Sequence, residues 1–174
     1  MKTGTVYLVG AGPGDPKLIT LKGLEALQRA DLVVYDHLVS PRLLEQCRPT
    51  AKLIYVGKQR RRHTVPQAAI DRLLVRAARA GRMVVRLKGG DPMLFGRGGE
   101  EALALAKARV PFTIVPGVTS AIAVPAYAGI PVTHRGISSS VAIITGHEDP
   151  AKPFGAIRWE QLAMATDTLV CLMG

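Results

Sequence analysis

Cysteine is nearly missing from this chain: Cys47 and Cys171 are the only two among 174 residues. They stand far apart and form no C-x-x-C, which excludes a disulfide-built scaffold and a cysteine zinc site. Both are read as buried thiols, the usual place of a free cysteine. Aromatic residues are scarce at 5%, which argues against a platform that stacks single-stranded bases. Long unbroken apolar runs are absent too. The longest uncharged stretch, 110–133, is interrupted by Pro111, Pro116, Gly117, Pro125, Gly129 and Pro131, so it cannot be one spanning helix. Met1-Lys2-Thr3-Gly4 leads straight into a short apolar segment rather than a secretory signal. A cytoplasmic location without membrane attachment is expected. His63, His134 and His147 have no metal-like spacing, and no metal is expected.

What is present describes a folded α/β protein. Hydrophobic residues make up 48% and charged residues 21%, a balance that buries a core and excludes a disordered tail, a collagen-like fibre or a coiled coil. The length suits one to one and a half domains. Acidic residues are outnumbered, 13 against 23 Lys plus Arg, for a net charge of +10. The excess is concentrated. From Arg42 to Lys88 thirteen Lys or Arg face only Glu45 and Asp71, a local net of +11. That segment includes Lys58-Gln59-Arg60-Arg61-Arg62-His63. It is either a solvated face or a landing surface for a polyanion, nucleic acid or a small polycarboxylate or phosphate. Arginine's planar fork suits such oxygens.

Apolar runs alternate with helical periodicity along the chain. Strands are expected at 5–9, 32–35, 53–56, 83–87 and 112–115. Helices are expected over Leu18 to Arg29, with Leu21, Leu24 and Leu27 on one face, from Ser40-Pro41, after a capping box at Thr64-Val65-Pro66-Gln67, and over Gly99 to Lys107. This alternation implies a mostly parallel sheet covered on both faces, with the loops that leave the strands' carboxyl ends gathered on one rim. After Thr133-His134-Arg135-Gly136 the pattern restarts, with strands at 141–145 and 168–172. A boundary is therefore expected near 134–137, giving an N-terminal α/β domain over 1–135 and, over 136–174, the start of a second, incomplete α/β domain. The chain is read as cut short after the last strand.

The rim loops carry the candidate chemistry. Gly10-Ala11-Gly12-Pro13-Gly14-Asp15 has Asp15 where a dinucleotide fingerprint needs its third glycine, so NAD is not expected. The loop is a tight turn or a ligand cradle. Lys88-Gly89-Gly90-Asp91-Pro92 is an Asp-Pro turn, or a place where backbone approaches a ligand closely and Asp91 accepts from a ribose or amine. In Gly96-Arg97-Gly98-Gly99-Glu100-Glu101 the acids suit a helix dipole with no ligand needed. Pro116-Gly117-Val118-Thr119-Ser120-Ala121 turns from strand to helix and offers free amides and hydroxyls. Asp36 follows the second strand, and Ser40 already supplies the next helix with a cap, which makes Asp36 a candidate for chemistry. Lys58 follows Gly57 at the third strand's end, in solvent or in the site.

With these loops the sequence resembles the tetrapyrrole methylases. The resemblance is carried by Val9-Gly10-Ala11-Gly12-Pro13-Gly14-Asp15-Pro16, Tyr35-Asp36-His37-Leu38-Val39, Gly57-Lys58 with His63 and Gln67, and Val85-Arg86-Leu87-Lys88-Gly89-Gly90-Asp91-Pro92. It continues through Phe95-Gly96-Arg97-Gly98-Gly99-Glu100-Glu101, Val115-Pro116-Gly117-Val118-Thr119-Ser120-Ala121, Ala126-Tyr127-Ala128-Gly129-Ile130-Pro131 and Thr145-Gly146-His147. These motifs run in order over nearly the whole chain.

The resemblance implies S-adenosylmethionine bound between two α/β domains and uroporphyrinogen III as acceptor, methylated on two pyrrole carbons to give precorrin-2 for sirohaem or cobalamin synthesis. Matching positions imply cofactor contacts at Pro13, Gly89, Gly90, Asp91, Leu94, Thr119, Ser120 and Met173, with a further contact beyond Gly174. They imply Asp36 and Lys58 as the acid/base pair. Uroporphyrinogen III carries eight carboxylates, and Arg60, Arg61 and Arg62 are expected to help hold them. The family implies a homodimer. Gln59 and Arg61 stand where the family usually has Arg and Gly, which bears on the carboxylate contacts. Two rivals fit the same composition: a related methyltransferase acting on ribosomal RNA or another corrin ring, and a non-catalytic polyanion-binding module.

Overall fold

The computed structural model describes residues 2–57, 65–147 and 157–174. They form two compact units, one ending at Thr119 and the other running from Ser120 to Gly174. The restart expected near 134–137 falls inside the second.

The first unit is built on five parallel strands: β1 (Val6–Gly10), β2 (Leu32–Tyr35), β3 (Lys52–Tyr55), β4 (Val84–Lys88) and β5 (Phe112–Val115), in the order β3-β2-β4-β1-β5. Because all five run the same way, their carboxyl ends share one rim. Alternate residues face opposite sides, as the pleat demands. Val6, Leu8, Leu32, Val34 and Val84 pack with Ile70 and Leu74 of α3 (Gln67–Arg79) and Leu105 of α4 (Gly98–Lys107). Val9, Val33, Val85 and Leu87 pack on the other side with Ala26 and Leu27 of α1 (Leu21–Arg29) and Leu43 of the single-turn α2 (Pro41–Leu44). The sheet is thus covered on both faces. The chain leaves β1 toward β2 at one side of the sheet and leaves β4 toward β5 at the other, so the rim opens between β1 and β4.

Several helix starts differ from the sequence expectation. A 3-10 turn at Pro16–Leu18 precedes α1, and the Thr20 hydroxyl caps α1 by accepting from Gly23 N at 3.1 Å. Leu21 therefore lies outside the apolar stripe, which Gly23, Ala26 and Leu27 form, and is 81% exposed. At α3 the cap position is Pro66, not Thr64, which lies outside the described residues; Gln67 opens the helix and its side chain turns elsewhere. Ser40 precedes α2 without a side-chain cap bond.

The second unit holds α5 (Ser120–Tyr127) and a parallel pair, β6 (Val141–Thr145) and β7 (Thr168–Leu172), separated along the chain by α6 (Trp159–Ala165). Both strands have the bounds their apolar runs suggest. Cys171 is exposed and Cys47 only half-buried, against the expectation of two buried thiols. Alternate residues of β7 are exposed, and Cys171 is one of them.

Candidate functional site

Three rim loops meet, two of them joined backbone to backbone. Ala11 N donates to Lys88 O at 2.7 Å, Gly90 N to Gly12 O at 2.7 Å, and Gly12 N to Gly90 O at 3.2 Å, which ties the loop after β1 to the loop after β4. Gly90 takes a φ of +63°, where a side chain is strained. A Cβ at Gly117 would sit 2.3 Å from Gly90 O and 2.7 Å from Gly10 Cα, so the loop after β5 closes onto the same point. Asp91 completes the join: Oδ1 accepts from Met93 N at 2.8 Å and Oδ2 from Gly117 N at 2.9 Å. Pro13 lies next to this bridge, Leu94 is half-buried in the loop leading to α4, and Thr119 ends the loop after β5.

On the β2 side the loop 36–39 folds over the same rim. A Cβ at Gly89 would meet Leu38 Cβ at 2.4 Å, and one at Gly57 would meet His37 N at 3.0 Å. The Asp36 loop therefore touches both the Gly89 bend and the residue before Lys58. Lys58, Arg60, Arg61 and Arg62 themselves lie outside the described residues. Ser120, at the start of α5, and Met173, with a φ of +60° after β7, belong to the second unit.

Asp36 does not cap a helix. Its Oδ1 accepts from Leu38 N at 3.1 Å and its Oδ2 from Arg86 Nη2 at 3.1 Å. Residues 32, 34 and 36 share a face of the sheet with 84, 86 and 88, since Val34 pairs in register with Arg86. Arg86 and Lys88 thereby point under the sheet toward α4, where the fully buried Glu101 takes Arg86 Nε on Oε1 at 3.0 Å. Lys88 Nζ stands 3.1 Å from Oε2 as an ion contact rather than an aligned hydrogen bond. Gln67 Nε2 reaches Glu101 Oε1 at 3.2 Å and Asp71 Oδ1 at 2.9 Å. Burial pushes the Lys88 ammonium below the usual lysine range, and the Arg86 charge adds to this, while Glu101 and Asp36 pull the other way.

A groove of about 770 Å³ between α3 and α4 is lined by Arg72, Arg76, Arg79 and Lys107 and by none of the candidate residues. Among the described residues no cluster of three or more His, Cys, Asp or Glu could hold a metal ion, and no helix is long and apolar enough to cross a membrane.

The family model of the tetrapyrrole (corrin/porphyrin) methylases matches residues 5–174. The chain belongs to that family. It is 56% identical over 171 residues to the uroporphyrinogen-III C-methyltransferase of Priestia megaterium, covering 98% of this chain and 71% of the relative. It is 54% identical to a siroheme synthase of Acinetobacter baylyi, covering 98% of this chain but only 37% of that longer protein. The solved structure of uroporphyrin-III C-methyltransferase from Thermus thermophilus, complexed with S-adenyl homocysteine, is similar with a TM-score of 0.79 at 48% identity, over 98% of this chain and 66% of that one.

In this methylase the rim joins Pro13, Gly89, Gly90, Asp91 and Thr119, and the Asp36 loop abuts it. Sequence reasoning missed the buried charges. Arg86 and Lys88 counted toward a basic surface, yet each is 4% exposed and neutralised from within. Glu101, assigned to the dipole of α4, is instead their partner; only Glu100 stays outside, paired with Arg97 at 2.7 Å. The available signal was Arg86 and Lys88 inside an apolar strand, two residues apart on one face, which demands a buried acid.

Proposed function

We propose that this chain carries the methyl-transfer chemistry of a uroporphyrinogen-III C-methyltransferase, methylating two pyrrole carbons of uroporphyrinogen III to give precorrin-2. The observation that carries the reading is the meeting of the Asp36 loop, the Gly57 turn and the Gly89-Gly90 bend on one rim, in a chain so similar to enzymes named for this activity. Open space over bare backbone supports a bound cofactor. A Cβ at Gly90 would meet nothing nearer than Thr119 Cα at 4.0 Å.

S-adenosylmethionine, when bound, supplies an electrophilic methyl group on a sulfonium. Pro13, Gly89, Gly90, Asp91, Leu94 and Thr119 are its proposed holders in the first unit; Ser120 and Met173 are added on family resemblance. The Asp91 carboxylate spends one lone pair of each oxygen on the loops and keeps the others for a ligand donor. An electron-rich pyrrole carbon is itself a nucleophile, so the protein's own chemical task is to receive the proton that this carbon loses. Asp36 takes that role, with Lys58 as acid or charge stabiliser, and positioning supplies much of the rest. Arg60, Arg61 and Arg62 hold acceptor carboxylates. Delivery of the product to sirohaem or cobalamin synthesis, a homodimer and a cytoplasmic location go with this reading.

The deciding experiment gives the protein methyl-labelled S-adenosylmethionine with either uroporphyrinogen III or ribosomal RNA. Two labels per macrocycle and none on RNA are expected. Label on RNA alone, or on neither, overturns the proposal.

A further inference from the structure

We infer that Arg86 is a positioning residue for Asp36, its guanidinium clamped from behind by Glu101 so that the Asp36 carboxylate is held in one orientation at the rim. The inference rests on the proposed role of Asp36 as base.

Every nitrogen of Arg86 is committed. Nε gives to Glu101 Oε1 at 3.0 Å, Nη1 to Leu87 O at 3.0 Å and Val34 O at 3.4 Å, and Nη2 to Asp36 Oδ2 at 3.1 Å. A planar fork fixed at three corners cannot turn, so the direction it offers Asp36 is set by β2, β4 and α4 together. Leu38 N fixes the other carboxylate oxygen at 3.1 Å. Both oxygens are thereby oriented, and each retains a lone pair for a proton.

Charge balance points the same way. Arg86 and Lys88 are two cations with side chains 5% exposed, and among the described residues Glu101 at 0% is the single anion fully buried with them. Asp36, 20% exposed, supplies the second negative charge and is the one member of this group that opens toward the rim. Burying unbalanced charge is costly, so the group as a whole favours a carboxylate at this spot. A lysine at position 86 would keep the charge against Glu101 but offer no second arm to Asp36.

The test uses Arg86→Gln, Arg86→Lys, Asp36→Ala and the double variant Asp36→Ala/Arg86→Gln in the full-length enzyme. Arg86→Gln should lower kcat by about ten- to a hundredfold, the scale of a misplaced catalytic group, with S-adenosylmethionine affinity changed far less. Arg86→Lys, which keeps a charge against Glu101 but has no second arm for Asp36, should lose kcat on a similar scale. In the Asp36→Ala background Arg86→Gln should remove nothing more, because its effect passes through Asp36. The same fold loss in both backgrounds overturns the inference. Hydrogen exchange gives a readout independent of turnover: the Leu38 amide, donor to Asp36, should exchange faster in Arg86→Gln than in the unaltered protein. Unchanged exchange overturns the positioning role whatever Asp36 does in catalysis. Full turnover in Asp36→Ala instead defeats the base assignment while leaving the exchange result to stand. If Arg86→Gln does not fold, Arg86→Lys carries both readouts; failure of both to fold makes Arg86 a structural residue and also overturns the inference.

Discussion

Asp91 and Gly117 stand 26 residues apart, yet Asp91 Oδ2 accepts the Gly117 amide at 2.9 Å and so locks the loop after β4 to the loop after β5. The other oxygen holds Met93 N at 2.8 Å. Asp91→Ala leaves both amides without this partner. Hydrogen bonds to a charged group are worth roughly 1.5–3 kcal/mol each, and partial solvent access lowers that here, so a loss of about 2 kcal/mol is expected in urea unfolding. Calorimetric titration with S-adenosylmethionine should show weakened binding. Unchanged affinity would mean that the join between these loops does not shape the cofactor site.

Gly117 and Gly99 should respond in opposite ways to alanine. At Gly117 the new Cβ would lie 2.3 Å from Gly90 O, 2.7 Å from Gly10 Cα and 2.9 Å from Gly10 C. Overpacking of this kind costs about 1–3 kcal/mol, and here it parts the rim loops, so cofactor binding should fall as well. At Gly99, inside α4, nothing lies within 4 Å of the new atom. Alanine there should stabilise by up to about 1 kcal/mol through helix propensity. Melting temperatures of the two variants, moving in opposite directions, check the pair.

Glu101→Gln should be among the most destabilising single changes in the first unit. It leaves Arg86 and Lys88 buried with no fully buried anion, and it disturbs the Gln67 contact from α3. Removing one partner of a buried ion pair costs about 3–5 kcal/mol. Equilibrium urea unfolding measures this directly, and a loss below about 1 kcal/mol would show that water reaches the group.

The five strands of the sheet were legible because apolar runs of four or five residues bounded by glycine or turn residues have few other readings. The shared rim followed from parallel alternation, and so did the meeting of the loops after β1, β2 and β4 there. Helix starts were less legible, since Thr20 outcompeted Leu18, and Pro66 stands at the cap of α3 where a Thr64 capping box was expected. The role of Asp91 as a brace was hidden because its partner, Gly117, is distant in sequence. The buried charges were hidden for a similar reason: Glu101 looks like any acid in a first helical turn until α4 is packed beneath β4.

Stability should rise with pH on account of Lys88. Burial and the neighbouring Arg86 hold its folded-state pKa below the ordinary value, despite the attraction of Glu101 and Asp36. In the window between the lowered value and about 10.4, the unfolded chain keeps the Lys88 proton while the folded chain has released it. More protons bound in the unfolded state means that the free energy of unfolding increases with pH across that window and is level on either side of it, as far as Lys88 contributes. Lys88→Met removes this contribution and adds a constant offset from the lost contact to Glu101. Exposed lysines and tyrosines titrate in both proteins and cancel when the two are subtracted. Urea unfolding of both at pH 7, 8.5 and 10 should therefore give a wild-type advantage that grows, or a deficit that shrinks, toward alkaline pH. A difference that stays flat, or moves the other way, would mean that Glu101 outweighs burial and keeps the ammonium charged throughout.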